Sequence, residues 1–116
     1  MINRMEVNDR MSRIVEHNGT VYLAGIVSDD KTLDIHGQAK RVFEIADKRL
    51  ADVGANKGNL LRAEIFLKDI YRDFADFNSE WDLWVADVNA PARACVEANM
   101  ASEGTLVEII FTAVKA

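Results

Sequence analysis

Residues 106–114, LVEIIFTAV, constrain the fold more than any other stretch. Read with the period of two of a strand, the segment is apolar on both sides, so neither face can be left in water. Only two other segments have the pattern of an amphipathic helix long enough to lie across a sheet. They can cover one face. No third helix is available for the other, so the expectation is that further copies of the chain cover it.

The remaining elements follow from local patterns. Residues 12–27, SRIVEHNGTVYLAGIV, hold two β-rich runs around Asn18-Gly19, a dipeptide suited to the positive φ angles of a hairpin turn. Alternation places Val21, Leu23 and Gly25 on one side, with Tyr22, Ala24 and Ile26 on the other. Residues 34–53 read as a helix. Ile35, Ala39, Val42, Phe43, Ala46, Leu50 and Val53 share a face, Asp34 suits the N-cap, and Gly54 suits the left-handed residue past the end. In LLRAEIFLKD, Leu61, Ala63, Ile65 and Leu67 alternate with Arg62, Glu64, Phe66 and Lys68, as in a strand. A second helix is expected over roughly 73–88, where Phe74, Phe77, Trp81, Trp84 and Val85 form a stripe for core packing. Two last strands, 92–100 and 105–114, flank a turn at 101–104 and are expected to pair antiparallel. The order β-β-α-β-α-β-β describes an α+β fold, one domain over residues 1–116, with both helices packed on one face of a mixed sheet.

Composition narrows the function. Apolar residues make up 49% of the 116, too many for a disordered chain. A net charge of −5 offers nucleic acid no basic surface. No apolar run nears the ~20 residues of a membrane span. MINRMEVNDR lacks the apolar stretch of a secretory signal, and one cysteine makes neither a disulfide framework nor a cysteine-rich zinc site. A cytoplasmic location is expected. His17 and His36 stand outside any metal-ligand spacing, and no glycine-rich nucleotide loop or GxSxG elbow is present, so no metal or cofactor is expected.

The chemistry concentrates in PARACVEANMASEGTLVEIIFTA, residues 91–113. Arg93 stands at the mouth of a strand. Its planar fork of donors matches a carboxylate or phosphate, and the plainer reading is an ion pair with one of the 19 acidic residues. Glu108 sits among apolar neighbours, on the face of Leu106 and Ile110. A carboxylate there must be paired, protonated or close to water. It is either a general base or water-positioning acceptor, or one half of an edge or interface ion pair. Cys95 shares the strand face of Arg93. With no histidine placed to activate it, it reads as a pocket wall.

These residues resemble the C-terminal signature of the RidA/YjgF family of reactive-intermediate deaminases, many of whose members are labelled endoribonuclease L-PSP. The matching positions are Pro91, Arg93, Cys95, Val96, Gly104, Val107, Glu108 and Ile109. NGTVYLAGIV resembles the family's second strand, and LLRAEIFLKDIYRDFADFNSEWDLWV its third strand and second helix. The resemblance implies a chorismate-mutase-like fold, a homotrimer whose sheets meet in a central barrel, and a site in each cleft between subunits. It implies hydrolysis of 2-imino or enamino acids to 2-keto acids and ammonia, without a cofactor. Arg93 would hold the substrate carboxylate, Glu108 would position water, the backbone beside Cys95 would touch the ligand, and Ala24 and Tyr22 would line or neighbour the pocket. Departures from the family pattern are Met11 for a tyrosine, Ala24 for a serine, Ala101 for the turn proline, and Ile110 for a second acidic residue. They motivate an alternative, a non-catalytic homotrimer binding small carboxylic or keto acids as a metabolic regulator. The ribonuclease and translation-inhibitor label ranks below both, because the chain is acidic and has no histidine pair for RNA cleavage.

Overall fold

In the computed structural model, which describes residues 1–116, the strands are β1 (Ile2–Val7), β2 (Ser12–His17), β3 (Thr20–Leu23), β4 (Ile26–Val27), β5 (Leu60–Leu67), β6 (Ala92–Glu97) and β7 (Val107–Val114). Helix α1 (Ile35–Asp52) lies between β4 and β5, and α2 (Ile70–Trp84) between β5 and β6. The sheet order is β1-β2-β3-β7-β5-β6, with β4 also on β7. Only β5 and β6 run parallel. The architecture is the expected α+β one, a mixed sheet with two helices on one face, to which β1 and β4 are additions. The sequence hides β1 because all six of its residues are exposed. It is held to β2 by backbone pairing and a surface hydrogen bond from Asn3 to Glu16, and so carries no apolar alternation.

The hairpin forms as expected. Asn18 and Gly19 take φ values of 52° and 83° between β2 and β3. Asp34 caps α1 by accepting from the Gly37 N–H at 2.9 Å, and Gly54 is left-handed at φ 74°. All seven apolar residues assigned to the inner face of α1 are buried. The second helix starts earlier than expected, at Ile70, because Asp69 rather than a later residue caps it by accepting from the Arg72 N–H. It ends at Trp84.

Two bulges shift the alternation. Tyr22 faces Thr112 and Ile26 faces Ile109, so the chain advances four residues here while β7 advances three. Ile26 therefore joins Val21 and Leu23 in the core, not Tyr22 on the opposite side. A second bulge at Leu61 puts Leu60 in the core and leaves Leu61 exposed.

The last two strands do not pair with each other, contrary to the expected antiparallel hairpin. β7 runs between β3/β4 and β5, and β6 lies on the far side of β5. Burial explains the choice. The inward side chains of β7 are fully buried, and the central position covers them, whereas β6 has no fully buried residue and suits an edge. Buried Gln38 fixes the crossing segment. Its amide nitrogen donates to the carbonyls of Leu33 and Gly104, and its oxygen accepts from the Leu106 N–H at 2.9 Å.

Twenty-three buried apolar residues fill the space between helices and sheet. The tryptophans are core residues. Phe43 stacks on Trp84 with ring centroids 4.5 Å apart, Phe77, Trp81 and Phe111 complete the cluster, and the Trp84 indole N–H donates to Asp47. Phe74, assigned to the same stripe, is instead partly exposed. No helix is long and apolar enough to cross a membrane.

Candidate functional site

Arg93 lies opposite Ala63 in the parallel β5–β6 ladder. Ala63 points under the helices, so the Arg93 side chain also leaves the sheet on the helix side, at its edge. There it meets α2. Nη2 donates to Asn78 Oδ1 at 2.7 Å, and the guanidinium carbon lies 5.2 Å from the Trp81 ring centroid. Both contacts orient the fork, through a hydrogen bond and a cation–π contact, and neither neutralises it. Arg93 takes part in none of the chain's salt bridges. The ion-pair reading of this residue is therefore not realised within the chain.

Cys95 is the next residue on that face and is half-buried. Burial pushes its thiol pKa up, against a smaller opposing pull from the Arg93 charge. A protonated thiol at neutral pH is a wall and not a nucleophile. It lines a depression of about 530 Å³ with Ile70, Tyr71, Phe74 and Ala75.

Glu108 belongs to the other face. It pairs with Phe66 on one side and Val27 on the other, and its carboxylate rests against Gly25 so closely that a Cβ there would collide with it. Gly25 is thus required for close approach, within the bulge that joins β3 to β4. Glu108 is half-buried and forms no salt bridge. Ala24, also half-buried, precedes Gly25, and its N–H donates to the Arg13 carbonyl. An alanine side chain supplies no hydrogen-bond donor of its own. Tyr22 is exposed on the open face between Val15 and Thr112. It is adjacent to neither Arg93 nor Glu108, since Thr112 is about 13 Å along β7 from Glu108.

The structure therefore places Arg93 with Cys95, and Glu108 against Gly25, in two separate places. Ala63, opposite Arg93, and Phe66, opposite Glu108, are three residues apart on β5 and point to opposite faces. The pair is separated by about 10 Å along the strands and about 10 Å across them. One small ligand cannot touch both groups of a single chain. Sequence reasoning overlooked Asn78 and Gly25. Asn78 falls three residues before Trp81, beside the aromatic stripe, and acquires meaning only once β6 is placed next to α2.

The model of the family described as Endoribonuclease L-PSP matches residues 1–115. A RutC family protein from Haemophilus influenzae is 41% identical over 114 residues, covering 97% of each chain. The crystal structure of a YjgF family member from Neisseria meningitidis superposes with a TM-score of 0.95 at 39% identity, over 100% of this chain and 96% of that one. A crystal structure from Pseudomonas aeruginosa superposes at 0.96, with 35% identity and complete coverage of both chains.

Proposed function

Because the chain belongs to the RutC/YjgF, or endoribonuclease L-PSP, family, we propose that it hydrolyses 2-imino or enamino acids to 2-keto acids and ammonia. The site is a cleft between copies, with Arg93 from one chain and Glu108 from its neighbour in a homotrimer. Arg93 holds the substrate carboxylate in two parallel hydrogen bonds. Glu108 accepts a hydrogen bond from water and aims its oxygen at the imine carbon. The water oxygen bonds to that carbon while the C=N electrons take up a proton at nitrogen. In the resulting carbinolamine the C–N bond breaks, ammonia departs, and the hydroxyl proton is lost as the keto group forms. Neither step needs a metal or cofactor.

The observation that carries this reading is the state of Arg93: fixed by neutral Asn78 and the Trp81 ring, with no carboxylate of its own chain upon it. A substrate acid supplies the missing partner. The test is ammonia release from freshly generated 2-imino acids. Arg93→Ala is expected to slow it about 100-fold, the scale of a lost charge-assisted contact. Equal rates for both proteins remove Arg93 from the mechanism.

One observation favours a second reading, in which the protein binds a keto acid without turnover. The Glu108 carboxylate rests against the backbone of Gly25, and the residue before that glycine is Ala24, which has no side-chain hydroxyl to hold a water. Calorimetric binding of 2-keto acids that depends on Arg93, in a protein inert toward imines, selects it. Cleavage of RNA is disfavoured by the net charge of −5.

A further inference from the structure

One side-chain position beyond Arg93 the surface turns apolar, bounded at its far end by the Glu97 carboxylate, which accepts from the Ile70 N–H at 3.1 Å. The depression beside Cys95 is lined by Ile70, Tyr71, Phe74, Ala75 and the thiol, with no charged group among them. Tyr71 is 96% exposed and Phe74 42%, although both stand on an otherwise well-packed helix. Nothing in the core requires aromatic residues there. Burial keeps the thiol pKa high, so the floor of the depression stays uncharged at neutral pH. Arg93 and Cys95 are two residues apart on one strand face, about 6.5 Å. A carboxylate on the Arg93 fork would therefore sit at the charged rim, and the far end of its own side chain over the apolar floor. An acid bearing only a methyl group cannot reach that far.

We propose that the acid held by Arg93 carries a bulky apolar side chain, of leucine or phenylalanine size, seated in this depression between the first turns of α2 and β6. Charge complementarity at one end and an apolar floor at the other define that ligand class. The inference rests on the assignment of Arg93 as the carboxylate clamp made under Proposed function. It adds the substrate class, and Phe74, Ala75 and Cys95 as determinants of specificity.

The experiment compares imines generated from alanine, leucine and phenylalanine, and in parallel measures calorimetric binding of the corresponding 2-keto acids. The leucine and phenylalanine compounds are expected to exceed the alanine compound in kcat/KM by about tenfold or more, the usual worth of extra methylenes in an apolar pocket. Ala75 is exposed, so Ala75→Trp fills the depression without entering the core. It should lower the bulky-to-small ratio at least about tenfold, and Phe74→Ser should lower it as well. A wild-type ratio near one overturns the proposed ligand class. So does a ratio that both variants leave unchanged. Either result leaves the deamination reading intact if Arg93→Ala still abolishes turnover. Binding of bulky keto acids with the same preference but no turnover supports the depression as the side-chain site and removes deamination. If no acid is turned over and none binds, both ideas fall.

Discussion

The two faces of the sheet are built from the same strands and end in opposite conditions. On β7, Val107, Ile109, Phe111 and Ala113 are all 0% exposed beneath the helices. Between them Glu108, Ile110 and Thr112 point the other way and are only half covered. On β5, Ala63, Ile65 and Leu67 are buried, whereas Arg62, Glu64 and Phe66 share the open side. Tyr22 and Val96 add exposed apolar surface to it. One face is packed to completion by the chain itself. The other is unfinished, and the two reactive groups divide between them: Arg93 at the rim of the closed side, Glu108 on the open side. A single copy thus keeps the two groups apart, as the intersubunit cleft proposed above requires.

The sharpest way to break this comparison is to separate the two groups genetically. Arg93→Ala and Glu108→Gln should each be nearly inactive alone. Dissociated and reassembled as an equal mixture, they should recover activity, because about a quarter of the clefts then unite an intact Arg93 with an intact Glu108 from the next copy. The readout is ammonia release before and after mixing, a rise of more than tenfold over either variant. No recovery from a mixture shown to have exchanged subunits means that the two groups do not serve one intersubunit site.

Stability should divide the same way. Phe111→Ala empties a fully buried aromatic site on the closed face and is expected to cost about 3–5 kcal/mol in urea unfolding. Ile110→Asp, its neighbour in sequence, should leave the far-UV circular dichroism intact yet shift sedimentation toward the single chain, because it puts a charge on the open face where the proposed partner would pack. Monomers from Phe111→Ala and unchanged assembly of Ile110→Asp would invert the roles of the faces. A smaller effect is expected of Gly25→Ala. The added methyl displaces the Glu108 carboxylate, whose far end is flexible, so turnover should fall about tenfold with little change in the urea midpoint.

How much of this was legible depended on whether a residue's environment is local. The α1 cap, the Asn18-Gly19 turn and the inner face of α1 are set within a few residues and are readable from them. Ile26 and Leu61 were misplaced because a bulge changes the phase of alternation; Gly25 marks the first bulge, whereas the second, at Leu61, leaves no mark in composition. β1 was invisible because it buries no side chain and is held by backbone pairing and exposed polar contacts. The partners of β6 and β7 depend on which strand wins the centre of the sheet, a competition over burial that adjacency along the chain does not reveal. At the site, the uncommon placement of Arg93 and Glu108 was visible. That they face opposite sides follows only from the registers of β6 and β7 on β5, which pair Arg93 with Ala63 and Glu108 with Phe66. Asn78 could not be recognised as the acceptor that steadies Arg93 without α2 laid against β6.

The smallest expected effect bears on the closed face and on what joins its two helices. His36 on α1 donates through Nδ1–H to Glu80 Oε2 on α2 at 2.7 Å, and its Nε2 lies 3.7 Å from Asp76. Lys40 approaches Glu80 at 3.9 Å, and Asp34 adds its charge from the start of α1. The hydrogen bond to Glu80 raises the imidazole pKa above its ordinary value and outweighs the opposing effect of desolvation. A raised folded-state pKa means that the charged clamp stabilises fully below the unfolded value of about 6.5, and that this contribution is lost as pH climbs through the higher folded value. Wild type should therefore melt above His36→Gln at about pH 5.5, with the gap narrowing steadily toward about pH 9. A gap that stays constant, or grows with pH, would show that the helices are held together by the apolar contacts of Phe43, Phe77 and Trp81 without electrostatic help from this pair.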